Sequence, residues 1–348
     1  MSIDKFLKDR LYDNLVINTN YPVNSKAWID IGNICNARCP FCYQKCFDDY
    51  ISIDDIEKQI KFAKLLRIEK IEFSGGEFTI HPDLEEILNI SNKYYKKDNI
   101  SILTNGFKLY DLEFCKFLDT KISEMKISVH SIDKSSKIYG RNGFVEKVLQ
   151  GVDNIIKHTN IKLSINITIN DENIQIIEEY IDYINKLPIN YLHILPENNW
   201  GLKDKKLYSN RNRNITILNK YLDYIDKNFR LRYVPYCLID KKHWNKIYNL
   251  LQHIFDLTDW NILFNYLRDY DFQNIDYYIS VDKIQIIREM YKIILGHRFE
   301  FFEYREKCFK CDFMFICDGF EKGSYNVEYT PITIFNKKIK DPTKVFEL

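Results

Sequence analysis

The sequence has no apolar run approaching the roughly 20 residues that a membrane-spanning helix needs. Membrane-crossing helices are therefore not expected. A charge excess of one sign is also missing, since 50 Lys and Arg face 49 Asp and Glu for a formal net charge of +1. Without such a field a chain lacks long-range steering of a polyanion, which argues against bulk nucleic-acid binding. The opening Met1-Ser2-Ile3-Asp4-Lys5-Phe6 carries an acid early and no apolar core, so a secretory signal is not expected either. A cytoplasmic location is expected, and the 348 residues are enough for one large or two smaller domains. Hydrophobic residues at 45% and charged residues at 28% are ordinary for a globular protein.

Cysteine is present, and it is clustered. Nine cysteines without export signals point to metal or redox chemistry in a reducing compartment. Cys35, Cys39 and Cys42 form a C-x3-C-x2-C pattern within Cys35-Asn36-Ala37-Arg38-Cys39-Pro40-Phe41-Cys42. Zinc motifs usually come as C-x2-4-C pairs with a second pair downstream, which is a poorer match. Three thiolates on one tight loop suit an iron–sulfur cluster, and a four-iron cluster with three protein ligands keeps one iron open.

From residue 26 onward, strand and helix patterns alternate. Strands are expected at 27–31, 70–74, 99–103, 125–129, 162–169 and 191–195. Helices are expected from Ser52 to residue 66, from Pro82 to 95, and over 109–118, 144–158 and 173–186. Such alternation implies a parallel sheet with ligands beyond the carboxyl ends of its strands. Unusual residues do cluster at those ends. The first expected strand leads into the cysteine loop, and the second into Ser74-Gly75-Gly76-Glu77. There the glycines would let backbone approach a ligand, and the carboxylate could accept from an ammonium group. Thr104-Asn105-Gly106 is a turn after the third, and Ser128-Val129-His130 ends the fourth, where His130 is a proton-transfer candidate or a packed side chain.

The cysteine motif with an aromatic Phe41 before its last cysteine, followed by Gly75-Gly76-Glu77, resembles the radical S-adenosylmethionine (SAM) family. The resemblance covers about residues 26–200. It implies an α/β fold, an incomplete TIM-like barrel of six βα units, (β/α)6, preceded by an extension over 1–25. It also implies that Cys35, Cys39 and Cys42 hold a 4Fe–4S cluster whose open iron chelates SAM. Gly75, Gly76 and Glu77 would hold the methionine moiety, although Phe78 stands where relatives usually have proline. Ser128 and Arg141 match positions that contact the ribose and carboxylate in peptide-maturing relatives, the other reading of Arg141 being a solvated loop charge. Asn105 and Asn166 lie at strand ends beside them, and Ile194 or Leu195 would cover the adenine unless both are core. Reductive cleavage of SAM, fed by a flavodoxin or ferredoxin, would give a 5′-deoxyadenosyl radical that abstracts hydrogen from a substrate carbon.

Near residue 200 the alternation stops at a polar connector containing Lys203-Asp204-Lys205-Lys206 and Arg211-Asn212-Arg213-Asn214. It reads as a solvated linker, or alternatively as a landing strip for an acidic substrate. Residues 215–229 are an expected helix, 231–236 a strand delivering Cys237, and 241–295 a mostly helical, aromatic-rich section. Cys308, Cys311 and Cys317 form C-x2-C-x5-C, and with Cys237 they supply the four thiolates of a closed site, 4Fe–4S or zinc. The spacing resembles part of the SPASM/twitch extension, so residues 201–348 are expected to be a mostly helical domain with an auxiliary 4Fe–4S cluster. Cys46, near the cluster loop, could reach the mouth of the active site, and Cys115 reads as a buried free thiol. A ribosomally made peptide is the first substrate expected, to be crosslinked, oxidised or epimerised. A small molecule or nucleotide is the second, and a non-catalytic electron carrier the third. The lack of a winged-helix-sized recognition segment in residues 1–25 weakens the first.

Overall fold

The computed structural model describes residues 26–42, 49–65, 68–197, 210–246, 250–251, 301–322, 328–335 and 337–339. The expected extension over 1–25, Cys46 and most of the expected helical section over 241–295 lie outside the described residues. The six expected strands are present as β1 (Lys26–Asp30), β2 (Lys70–Ser74), β3 (Ile100–Thr104), β4 (Glu124–Ser128), β5 (Lys162–Ile169) and β6 (Leu192–Pro196). Helices α1 (Ile53–Leu65), α2 (Leu84–Tyr94), α3 (Leu112–Lys121), α4 (Phe144–His158) and α5 (Ile177–Asn185) connect them in turn. All neighbours pair in parallel and in sequential order, which is the partial TIM-like barrel.

Local chemistry sets the helix starts. The Ser52 hydroxyl accepts from the Asp55 N–H and donates to the Asp55 carboxylate, opening α1. The Asp111 carboxylate accepts from the N–H groups of Glu113 and Phe114, and this cap moves α3 downstream of the expected start at 109. The helix faces and the alternate strand residues Ile29, Ile71, Ile102, Ile127, Ile165 and Ile194 form one apolar core. Cys115 is buried in it, its thiol donating to the Leu109 carbonyl at 3.1 Å.

The sheet does not stop at β6. Helix α6 (Arg211–Tyr221) leads to β7 (Phe229–Arg232), which pairs with β6, and β8 (Leu250–Leu251) pairs with β7. Among the described residues the sheet of eight strands keeps the order β1 to β8 and its two edges do not pair with each other, so it curls without closing. Three expectations change here. The helix over 215–229 is shifted, since α6 begins at Arg211 and ends at Tyr221 and Phe229 already belongs to β7. The strand over 231–236 ends at Arg232, because Tyr233 adopts a φ of +58° and Pro235 brings no N–H. The segment Arg211-Asn212-Arg213-Asn214 is neither a solvated linker nor a landing strip. It is the first turn of α6, with Arg211, Asn212 and Asn214 buried. Arg211 pairs with Glu321 at 3.2 Å, and Asn214 donates to Asp171 at 2.8 Å. Around the last cysteines the described residues form short 3-10 turns and the antiparallel pair β9 (Phe302–Glu303) and β10 (Phe320–Glu321). No described helix is long and apolar enough to cross a membrane.

Candidate active site

The loop carrying Cys35, Cys39 and Cys42 leaves the carboxyl end of β1 and is fastened from three sides. From β2, the Gly76 N–H donates to the Gly32 carbonyl at 2.7 Å and the Glu77 N–H to the Ile34 carbonyl at 2.8 Å. The two glycines are needed for this contact. A Cβ at Gly76 would stand 2.1 Å from the Ile34 oxygen, and one at Gly75 (φ +139°) 2.6 Å from the Gly32 oxygen. The close backbone approach foreseen for a ligand is thus made to the cysteine loop itself.

From β3, the Asn105 side chain donates to Asn36 at 2.7 Å and to the Cys35 sulfur at 3.7 Å. The Ala37 N–H also points at that sulfur, at 3.4 Å. Such N–H donors stabilise a thiolate ligand and tune the potential of a cluster it holds. From the loop after β4, the Tyr139 carbonyl accepts from the Arg38 N–H at 2.8 Å, and Gly140 packs so closely on Arg38 that a Cβ would lie 2.2 Å from its oxygen. Cys42 is near enough to raise both of the other thiols. Burial pushes Cys35 up to about 11, and it pushes Cys39 higher still, with Cys42 and Cys35 adding to the effect.

Glu77 is anchored by the protein itself. It is fully buried, and its carboxylate accepts from the Thr79 N–H (3.0 Å), the Thr79 hydroxyl (2.6 Å), the Thr104 hydroxyl (2.6 Å) and the Asn105 N–H (2.6 Å). Burial pushes its carboxyl upward while the bonds from Thr104, Thr79 and Asn105 pull it back. An ammonium group would have to compete with four protein donors. The carboxylate also ties the ends of β2 and β3 together under the cysteine loop.

Ser128 and Asn166 are level across β4 and β5, with a long 3.5 Å contact between their side chains. His130 is buried; its Nδ1 accepts from the Thr168 N–H at 3.1 Å, which leaves the proton on Nε2. Burial pushes it down to about 3, so the ring is neutral, and it stands edge-on to Phe41 at 4.9 Å. The packed reading of His130 therefore describes it better than proton transfer. Arg141 is exposed and follows directly on the Gly140 contact with the cysteine loop. Ile194 belongs to the core on the helix side, whereas Leu195 has the opposite parity.

The fourfold set also converges. Cys237, Cys308, Cys311 and Cys317 line one small cavity with Tyr236, Phe313 and Met314. Cys237 lies in a 3-10 turn (Tyr236–Leu238), beyond the end of β7 rather than on it. Burial pushes Cys237 up to about 12 with Cys308 and Cys311 adding, and Cys317 is raised by burial and then by Cys237. Among the described residues no three Cys, His, Asp or Glu side chains form a ready site for a single ion. Both cysteine sets are chemically suited to a cluster, which is a larger body ligated by thiolates.

A loop of three cysteines at the end of the first strand is thus locked to a Gly-Gly-Glu segment after the second. Residues 29–184 match the family model of the radical SAM superfamily. This chain carries a radical SAM domain. Over 172 residues it is 30% identical to a probable GTP 3′,8-cyclase of Saccharolobus islandicus, covering 48% of this chain and 55% of that protein. Over 147 residues it is 31% identical to an S-adenosylmethionine-dependent nucleotide dehydratase of a Thermoplasmatales archaeon, covering 41% and 52%. The chain thus spans about half the length of the curated relatives it matches. Streptococcus suis SuiB bound to the precursor peptide SuiA superposes with a TM-score of 0.49 and 19% identity, over 64% of this chain and 51% of that one. The hydrogenase maturase HydG of Carboxydothermus hydrogenoformans gives 0.46 and 14%, over 72% and 62%.

Sequence reasoning missed the parts that brace the radical SAM domain. Thr79 and Thr104 hold Glu77. The Tyr139 hydroxyl donates to the Ser128 carbonyl (2.7 Å) and accepts from the His130 N–H (2.9 Å). The Asn173 amide bonds the carbonyls of both His130 and Thr168. It also missed that the concave face of the sheet is charged. The signal was available in Lys26-Ala27-Trp28-Ile29-Asp30 and Glu124-Met125-Lys126-Ile127-Ser128. Parallel strands covered on both faces read as continuous apolar runs, so strict alternation marks one polar face.

Proposed function

We propose that this chain is a radical SAM enzyme that holds a 4Fe–4S cluster on Cys35, Cys39 and Cys42. Bound there, the cluster would supply the electron that cleaves SAM, and SAM the 5′-deoxyadenosyl group that would take hydrogen from a substrate carbon. The observation carrying this reading is the threefold fastening of the cysteine loop to the ends of β2, β3 and β4. It holds the backbone of the loop that carries the three thiols, and preorganised ligands lose less entropy on binding. Gly75, Gly76, Asn105, Ser128, Arg141 and Asn166 surround the carboxyl ends of the strands, where SAM would lie, with Leu195 rather than Ile194 on that side. Cys237, Cys308, Cys311 and Cys317 would hold an auxiliary 4Fe–4S cluster, and a flavodoxin or ferredoxin would supply electrons.

For the substrate, the polar concave face favours a nucleotide or another small polar molecule. The names of the two curated relatives, both acting on nucleotides, support the same choice. A ribosomally made peptide is the second reading, favoured by a sheet whose two edges do not pair with each other among the described residues, as a large substrate would require. The test is anaerobic reconstitution followed by reductant, SAM and candidate substrates. A nucleotide that accelerates 5′-deoxyadenosine formation and is itself converted supports the first substrate reading. Acceleration by a precursor peptide alone would replace it with the second. No 5′-deoxyadenosine under any condition would remove the enzyme reading altogether.

A further inference from the structure

The cavity that gathers Cys237, Cys308, Cys311 and Cys317 is also lined by Tyr304 and Tyr329, whose hydroxyls have different partners. Tyr304 donates to the main-chain carbonyls of Met314 (2.7 Å) and Cys317 (3.1 Å), which braces the turn between them. Tyr329 is hydrogen-bonded to the Cys308 sulfur instead. Its oxygen also accepts from the Lys307 N–H. A thiolate has no proton to give, so with Cys308 ionised the phenol must be the donor of that bond.

Several neighbours hold Tyr329 in this place. Pro331 lines the same cavity and restricts Thr330 before it to extended backbone. The Tyr329 ring packs on Phe320 at 4.7 Å, and Phe320 in turn carries the Arg305 guanidinium at 4.1 Å. Lys307 Nζ stands 5.6 Å from the centre of the Tyr329 ring. A cation there polarises the phenol and strengthens its O–H as a donor.

Other groups act on the sulfurs in both directions. The Gly319 N–H points at Cys317 at 3.4 Å, joined by a main-chain bond from Tyr236, and Arg305 bonds Cys308 through its main chain. The Arg305 charge favours an anion on Cys237 and Cys308, whereas Asp318 opposes one on Cys317. A 4Fe–4S cluster gains one negative charge on reduction, and hydrogen bonds to its sulfurs favour that state.

We propose that Tyr329 tunes the reduction potential of the auxiliary cluster, its hydroxyl stabilising the reduced form through the Cys308 sulfur. The inference rests on the reading that these four cysteines hold such a cluster, and deepens it by naming the side chain that makes the site easier to reduce. A site raised in this way is suited to accept an electron rather than to supply one.

The test is a redox titration of the reconstituted full chain followed by electron paramagnetic resonance, without SAM and then with it. Added SAM alters the signal of the cluster that binds it and so separates the two. Tyr329→Phe keeps the ring and removes the hydroxyl. At a fixed potential it should shift the auxiliary cluster about three- to tenfold towards the oxidised form, which is about 30–60 mV for one electron. The first cluster should keep its potential. Tyr304→Phe makes the same change in the same cavity, but its hydroxyl bonds carbonyls, so it should lower stability to urea and leave the ratio unchanged. An unchanged ratio in Tyr329→Phe, or an equal shift in both variants, overturns the proposal and leaves the auxiliary cluster standing. A chain that holds about four irons and shows a single, SAM-sensitive signal overturns both together.

Discussion

Replacing Gly76 with alanine isolates the contact on which the candidate site depends. Gly76 is not among the positive-φ glycines, so alanine meets no backbone strain there and the effect is steric. The new Cβ would lie 2.1 Å from the Ile34 oxygen, 2.6 Å from its carbonyl carbon and 2.7 Å from that of Asn33. All three are backbone atoms, which cannot rotate aside. The β2 end and the cysteine loop must separate by more than about 1 Å to reach ordinary contact. Bonds now 2.7 and 2.8 Å long, from the Gly76 and Glu77 N–H groups, would pass beyond hydrogen-bonding range. Losing them costs about 1 kcal/mol each, and the overpacking adds about 1–3 kcal/mol, for a destabilisation of about 3–5 kcal/mol. Urea unfolding under anaerobic conditions measures it, and iron and sulfide analysis reads the loop. The control is Gly143→Ala, where a Cβ meets nothing within 4 Å and only the φ of +68° is penalised, at about 1–2 kcal/mol. If Gly76→Ala costs no more than Gly143→Ala and retains full iron, the fastening of the cysteine loop has been misread.

Glu77→Gln should cost about 1–3 kcal/mol, because an amide N–H₂ would face either the Asn105 N–H or the Thr79 N–H in a fully buried place. Unchanged stability together with lost SAM affinity would return Glu77 to the role of ammonium ligand. Cys237→Ala should remove the auxiliary metal while leaving the first cluster and some SAM cleavage. Colour and acid-labile sulfide that persist in a Cys35, Cys39 and Cys42 triple alanine variant would identify that metal as iron, whereas a colourless, zinc-loaded triple variant would refute the auxiliary cluster.

The sheet was legible because β-branched runs, caps and turns alternate regularly up to β6. Its continuation was harder to read. Phe229–Arg232 is short, and Asn210 to Asn214 has the composition of a linker. Burial there follows from partners far away in sequence, Arg211 with Glu321 and Asn214 with Asp171, which no local pattern announces. The candidate site was legible at its cysteines and at Gly75-Gly76-Glu77, where residue type and spacing carry the chemistry. What the glycines and Glu77 touch was not, since identical residues can serve a ligand or a neighbouring loop. The charged concave face lay hidden in a balanced total charge, because composition says nothing of which cations the strand parity brings together.

The central claim is that Cys35, Cys39 and Cys42 carry a cluster that cleaves SAM. Its most direct measurement is 5′-deoxyadenosine formed by the anaerobically reconstituted chain with reductant and SAM, compared with the triple alanine variant. The account predicts product from the wild type, and none from the variant beyond the rate without protein. The variant should lose about half of the roughly eight irons that two four-iron clusters hold. Equal product formation by the two proteins, or no product from a wild-type chain shown to hold its iron, would contradict it.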